Sequence, residues 1–183
     1  CHSQWHLEYR MSTLELKELS HPAGEVIKIA AGKTLDLKSQ GTTTLPTGSV
    51  LQVVYSQAAG SLVQTNTTNF TDTGFNVVIT PSSTSSKIHI SWYFNTTINS
   101  SGASGIVSKI YRGTTAISQG DGTFEYQTVA TNTHQTVCSF ILDSPATTSA
   151  VTYRLYFRKY GTGPAVIYPS WGGVRMTAME IQG

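Results

Sequence analysis

Alternation between apolar and polar side chains with a two-residue period is the feature that most constrains how this chain can fold. The clearest cases are residues 87–94 and 151–158. The apolar side chains that share one face of these two segments are Ile88, Ile90, Trp92, Phe94, Val151, Tyr153, Leu155 and Phe157. Because successive side chains of a strand point to opposite sides of a sheet, each segment predicts a strand with one buried face. The same pattern at Phe75, Val77 and Ile79 predicts another such strand.

The composition favours β structure throughout. The chain of 183 residues contains 27 Thr and 21 Ser, whereas charged residues make up only 12%. Threonine suits strands because its branched Cβ packs well on a pleated surface. Turn-rich segments divide residues 49–183 into nine or ten short strands. We therefore predict an all-β fold, an antiparallel jelly-roll-like β-sandwich over residues 49–183.

Residues 1–48 differ from the rest of the chain. Residues 11–48 hold eight of the 22 charged side chains, a higher density than in the rest of the chain, and only short apolar alternations, such as Val26, Ile27 and Ile29. Such a segment is too thin to bury a core alone and needs a partner surface. We predict that residues 1–48 are an extended segment for docking or oligomerisation.

Two predicted strands, Val50–Tyr55 and Val137–Leu142, are apolar on both sides. One side of such a strand can face the sandwich core, and the other then needs a second cover. In an all-β chain the expected cover is another copy of the chain, which predicts a homo-oligomer. Cys138 lies within the second strand, and we expect it to be a small buried apolar residue.

The sequence offers little for catalysis, metal binding or nucleic-acid binding. The net charge is +2 with no basic stripe, and no apolar run reaches the length of a membrane-spanning helix. Asp121 and Glu125 are close enough in sequence to resemble a glycosidase pair, but a turn residue and a solvated strand residue explain them better. His89 and His134 could meet across a sheet, without metal-ligand spacing. We predict a protein that is not an enzyme, with no cofactor, metal, nucleic acid or inserted membrane segment.

Three aromatic residues lie in the Gly- and Pro-containing segment Tyr160–Gly173, namely Tyr160, Tyr168 and Trp171. Aromatic side chains on a loop held by two strands can serve as contact anchors for a sugar or a protein. They are the candidate receptor-binding residues. The alternative is that they pack the loop onto the sandwich or into a subunit interface.

Several blocks of the sequence resemble a known family when they are taken together. They are Gly48-Ser49-Val50-Leu51-Gln52-Val53-Val54, Phe70-Thr71-Asp72-Thr73-Gly74-Phe75, Ile79-Thr80-Pro81-Ser82-Ser83-Thr84-Ser85-Ser86-Lys87-Ile88 and Met176-Thr177-Ala178-Met179-Glu180-Ile181. This series resembles the C-terminal module of tail-fibre-like and other virion structural proteins of tailed bacteriophages, especially marine and cyanobacterial ones. The segment Ser12–Leu37 also resembles the short N-terminal lead-in of these proteins, so the resemblance covers about residues 11–183.

The resemblance implies a jelly-roll-like sandwich, commonly a homotrimer, displayed on a virion, and it brings no catalytic residue. The first expectation is a fibre-like module that attaches the particle to a host-surface glycan or protein, with residues 1–48 docking to other virion proteins. The second is a head-decorating, head-fibre or connector protein that binds only other virion proteins.

Overall fold

A computed structural model describes residues 31–34, 45–98, 103–118, 122–128 and 133–183, with the backbone alone at Thr123, Phe124 and Trp171. The described residues form eleven strands and one turn of 3₁₀ helix at Pro169–Trp171. The strands are β1 Val50–Ala58, β2 Val63–Thr65, β3 Thr71–Ile79, β4 Lys87–Ile98, β5 Ser104–Arg112, β6 Thr115–Ala116, β7 Thr123–Gln127, β8 Thr133–Asp143, β9 Val151–Gly161, β10 Ala165–Ile167 and β11 Val174–Ile181. The predicted all-β fold class is confirmed.

The strands form two antiparallel sheets. In the front sheet, β4 pairs with β11 and then β10 along one edge and with β8 along the other, while β1 pairs with β11 and β2 with β10. In the back sheet the order is β3-β9-β5, and β6 and β7 both pair with the free edge of β5. The chain crosses from one sheet to the other after β2, β3, β4, β7, β8 and β9.

The two sheets share one apolar core. All eight side chains that the alternation assigned to the buried faces of β4 and β9 lie in it, and each is at most 6% exposed. Val77 and Ile79 of β3 are buried in the same core, and Phe75 packs against it. Burying one such side chain contributes about 1.5–3 kcal/mol, so these strands supply much of the stability.

The chain divides into two compact units, residues 1–44 and 45–183. The predicted boundary was four residues further on, between 48 and 49. Two backbone hydrogen bonds explain the difference, because Gly48 donates to Gln182 and Gln182 donates to Ser49, both at 2.8 Å. These bonds tie the segment before β1 to the end of β11. The docking role of residues 1–48 concerns a segment that lies largely outside the described residues and stays a prediction.

Candidate functional site

The outer face of the front sheet carries the large apolar side chains that are most exposed among the described residues. Strand pairing places its residues in three rows that run from β1 across β11 and β4 to β8. The rows are Val53, Met179, His89 and Leu142; Tyr55, Thr177, Ser91 and Phe140; and Gln57, Arg175, Tyr93 and Cys138. Phe140 is 71% exposed and Val53 is 58% exposed. We call this surface the front face.

The front face is hollow at its centre. A groove of about 520 Å³ lies on it, and its lining includes Tyr55, Ser91, Phe140 and Thr177. The middle row explains the hollow, because the small side chains of Thr177 and Ser91 separate the aromatic rings of Tyr55 and Phe140. The groove therefore has aromatic walls and a floor of hydroxyl groups.

Ring contacts hold two sides of this groove in place. The imidazole of His89 stacks on Phe140, with ring centroids 5.5 Å apart and planes inclined by 21°. The Nδ1 atom of His89 is buried and has no hydrogen-bond partner among the described residues. The guanidinium of Arg175 lies 5.4 Å from the ring centroid of Tyr93. The groove thus offers mainly ring surfaces, with one cation at its edge.

The predicted burial of Cys138 is wrong, and the possible meeting of His89 and His134 does not occur. Cys138 is a free, exposed cysteine rather than a buried one, because its partner on β4 is the outward-facing Tyr93. His89 and His134 do not meet. Leu142 lies opposite His89, whereas His134 lies opposite Thr97 and shares a 2.7 Å hydrogen bond with its hydroxyl group.

The three candidate receptor-binding residues occupy different surroundings. Tyr160 lies near the end of β9 and is 44% exposed. Tyr168 is half-buried, and its backbone N–H donates to the carbonyl of Asn95 at 2.9 Å. Trp171 ends the 3₁₀ helix, and its side chain lies outside the described atoms. The segment between Tyr160 and Gly173 is also not one continuous loop, because it contains the strand β10, whose three residues are buried.

Tyr160 has an aromatic neighbour that the sequence did not reveal. Its ring meets Tyr126 of β7 edge to face, with centroids 5.4 Å apart. Pairing explains the contact, because Tyr160 and Tyr126 both lie opposite Gly105 of β5, one on each side. A Cβ atom at Gly105 would lie 2.3 Å from the Glu125 carbonyl oxygen, so glycine permits this close approach of β7.

The least expected polar feature is the carboxylate of Glu180 on β11, which is completely buried. Its Oε1 accepts hydrogen bonds from the backbone N–H of Ser82 at 2.6 Å and from the hydroxyl groups of Ser82 and Ser86 at 2.7 and 2.6 Å. Its Oε2 accepts one from Gln52 at 2.6 Å. Burial alone would raise the pKa of Glu180, but these bonds to the charged form outweigh it and lower the pKa.

Glu180 thereby joins two of the blocks that carry the family resemblance, the serine-rich segment and the end of the chain. Nothing local marks this link, since Ser82 and Glu180 are 98 residues apart in sequence. In the sequence, Glu180 stands out only as one residue of the closing block, Met176–Ile181. Its role in the described structure is to hold the β3–β4 loop against β11 and β1.

A second carboxylate, Asp143 at the end of β8, is also held by neighbours. It accepts hydrogen bonds from Arg112 at 2.8 and 2.9 Å and from the hydroxyl group of Tyr153 at 2.8 Å. Burial, followed by the hydrogen bond to Asp143, raises the pKa of Tyr153 far above its ordinary value. Glu125 lies half-exposed on β7, whereas Asp121, the other member of the possible glycosidase-like pair, lies outside the described residues.

Within the described ranges, no three His, Cys, Asp or Glu side chains come close enough to hold a metal ion. The same residues include no helix long and apolar enough to cross a bilayer. The chain matches no protein-family model, and its sequence shows no significant similarity to any curated protein. The two surfaces with a defined geometry, the front face and the surroundings of Tyr160, are the candidates for function.

Proposed function

We propose that this chain is a non-catalytic structural protein of a bacteriophage virion, a fibre-like module that assembles as a homotrimer and attaches the particle to the host surface. The family resemblance is the basis for assigning the chain to a virion and for expecting three copies in the assembly. The observation that carries the assembly is the front face, where large apolar side chains stand exposed on both edge strands of the sheet.

The front face has the composition of an interface rather than of an ordinary surface. Val53 and Tyr55 on β1 and Phe140 and Leu142 on β8 are all more than half exposed. Exposed apolar clusters of this kind mark interaction sites, and aromatic residues and Met are enriched in them. β1 and β8 are also long edge strands, each unpaired on its second side among the described residues, which a monomeric sheet would normally protect.

The strand order supports the finer fold assignment. The eight longest strands divide equally between the two sheets, in the order β1-β11-β4-β8 in the front sheet and β3-β9-β5-β7 in the back sheet. A jelly roll of two Greek keys has eight strands that cross repeatedly between two sheets. We propose that this domain is a jelly roll, in which β2, β6 and β10 are short additions.

The state of three of the four described side-chain carboxylates supports a non-catalytic role. Glu180 and Asp143 are each held by several hydrogen bonds, and Asp72 pairs with Arg154 at 3.0 Å. A general acid or base needs to be within reach of a substrate proton. These groups instead stabilise the fold or pair on its surface.

Assembly through the front face is tested with Phe140→Ser, using Val78→Ser as the matched control. Val78 is 45% exposed on the outer face of the back sheet, so its substitution removes a similar exposed apolar group elsewhere. We expect wild type and Val78→Ser to be trimers at micromolar concentration and Phe140→Ser to dissociate. Each interface would lose about 2 kcal/mol of apolar burial. Light scattering that finds a wild-type monomer, or an intact Phe140→Ser trimer, contradicts the proposal.

Cys138 provides an independent probe of the same face. In a Cys1→Ser background, a bulky maleimide should react with Cys138 slowly in the trimer and quickly in the Phe140→Ser monomer. If Cys138 reacts at the same rate in both proteins when equal fractions are folded, the interface does not include the front face.

The virion assignment needs its own experiment. Labelling of phage particles with an antibody against this chain, viewed by electron microscopy, is expected to mark fibres. Label confined to the head or to a connector would favour the alternative, a protein that binds only other virion proteins. Particles without any label would refute both.

A further inference from the structure

The outer face of the back sheet combines positive charge with aromatic rings. Pairing places Asp72 of β3, Lys109 of β5, and Arg154 and Arg158 of β9 on this side of the sheet. Asp72 is engaged with Arg154. The charged side chains described on this face therefore comprise three cations and one anion.

Lys109 and Arg158 converge on one ring. The Lys109 Nζ atom lies 4.8 Å from the centroid of Phe70, and the Arg158 guanidinium carbon lies 5.3 Å from it. Each cation gains from the negative face of the ring. Lys109 forms no ion pair with a described carboxylate, so within the described residues its ammonium group is available to an anion that reaches Phe70.

Aromatic pairs flank these cations on both sides. Tyr111 and Tyr156 stack at a tilt of 33° with centroids 4.1 Å apart, and Phe70 lies 6.4 Å from Tyr111. On the other side is the edge-to-face pair of Tyr160 and Tyr126. Both pairs are at least partly exposed, so each offers ring surface to a ligand.

Strand β9 orders these groups along a line. Three side chains two residues apart lie on the same side of this strand: Tyr156, Arg158 and Tyr160. The rise of a strand places the Cα atoms of Tyr156 and Tyr160 about 14 Å apart. A cation therefore lies between two aromatic platforms. This length suits a short chain of linked rings rather than a single small molecule.

We propose that this surface binds an acidic saccharide chain, with sugar rings stacked on the tyrosine pairs and a carboxylate held by Lys109 and Arg158. The apolar face of a pyranose ring matches an aromatic side chain, and the phenol groups can hydrogen-bond its hydroxyl groups. A carboxylate forms its strongest hydrogen bonds with guanidinium and ammonium groups. This inference rests on the attachment half of the proposed function and names the chemical class of its ligand.

The experiment uses the full chain and hexagalacturonate, an oligosaccharide of uronic acids, as the probe. Maltohexaose is the neutral comparison, and an oligoglutamate of six residues carries similar charge without sugar rings. Titration calorimetry is expected to show binding of hexagalacturonate alone, with an affinity that falls as salt increases.

Two variants test the cations. Lys109→Gln should weaken binding roughly tenfold, and the double variant Lys109→Gln with Arg158→Gln should abolish it. Lys87→Gln, which removes an exposed cation at the start of β4, outside the three rows of the front face, should bind as wild type does. The melting temperature of each variant shows whether it is folded, and Lys109→Gln keeps the test decisive if loss of Arg158 disturbs the sheet.

Three results would overturn the inference. They are equal binding of maltohexaose, equal binding of oligoglutamate, and unchanged affinity in a folded Lys109→Gln variant. Failure to bind hexagalacturonate in the folded wild type would do the same. None of these results bears on trimer assembly or particle labelling, so failure of this inference is distinct from failure of the proposed function.

Discussion

Replacing Glu180 by Gln is expected to destabilise the sandwich more than any other change of a single charge among the described residues. The carboxylate is completely buried and accepts four hydrogen bonds, three at Oε1 and one at Oε2. A glutamine has one acceptor oxygen, and its NH₂ group would face the Nε2 donor of Gln52 or the donors of Ser82 and Ser86. At least one donor then loses its acceptor, and the remaining hydrogen bonds have a neutral acceptor in place of a charged one.

A hydrogen bond to a charged group contributes about 1.5–3 kcal/mol, and a buried donor without an acceptor costs about 1–3 kcal/mol. We therefore expect Glu180→Gln to lower the free energy of unfolding by about 2–4 kcal/mol. In a protein of this size that corresponds to a fall of roughly 5–15 °C in Tm. Glu125→Gln is the control, because it removes the same charge from a half-exposed strand position.

The effect should depend on pH. The folded-state pKa of Glu180 is lowered, so the unfolded chain binds its proton more readily than the folded chain does. The stabilisation is complete above the unfolded pKa of about 4.3 and is lost as pH falls through the lower folded value. The Tm gap between wild type and Glu180→Gln should thus be full at neutral pH and narrow in acid. If Glu180→Gln and Glu125→Gln have the same Tm at neutral pH, this account is refuted.

Two further predictions concern the core. Trp92→Ala should cost about 3–5 kcal/mol in urea unfolding, because Trp92 is 4% exposed between the sheets; a loss below 1 kcal/mol would contradict that position. Tyr153 should remain protonated at a pH where exposed tyrosines ionise, since burial and Asp143 raise its pKa. The contribution of Tyr153 to the free energy of unfolding is complete below about pH 10 and is lost above it. Ultraviolet titration should therefore show one tyrosine that ionises only when the protein unfolds. Asp143→Asn should lower the pH at which this tyrosine ionises.

The two-residue alternation determined much of the fold from the sequence. A strand's period is a local property, so eight core residues of β4 and β9 could be assigned to buried faces without knowing their partners. The surplus of apolar residues in β1 and β8 likewise showed that both sides of these strands are apolar. The alternation did not show which side would face the core.

Strand pairing decided that choice. Val137 entered the core and Cys138 did not, because β8 pairs with β4 in a register that places Cys138 beside the outward Tyr93. A shift of one residue would have exchanged their faces. Such a register depends on partners far along the chain, and it cannot be read from a segment that is apolar on both sides.

The polar and aromatic sites depended even more on tertiary structure. Tyr160 was a candidate contact residue from its sequence, but its neighbour Tyr126 is brought to it only by pairing of β7 and β9 with β5. Ser82 and Ser86 gave no sign that they bind Glu180, which follows them by 98 and 94 residues. Side-chain patterns report local burial, whereas these sites are made by strands that meet only because loop crossings bring distant segments together.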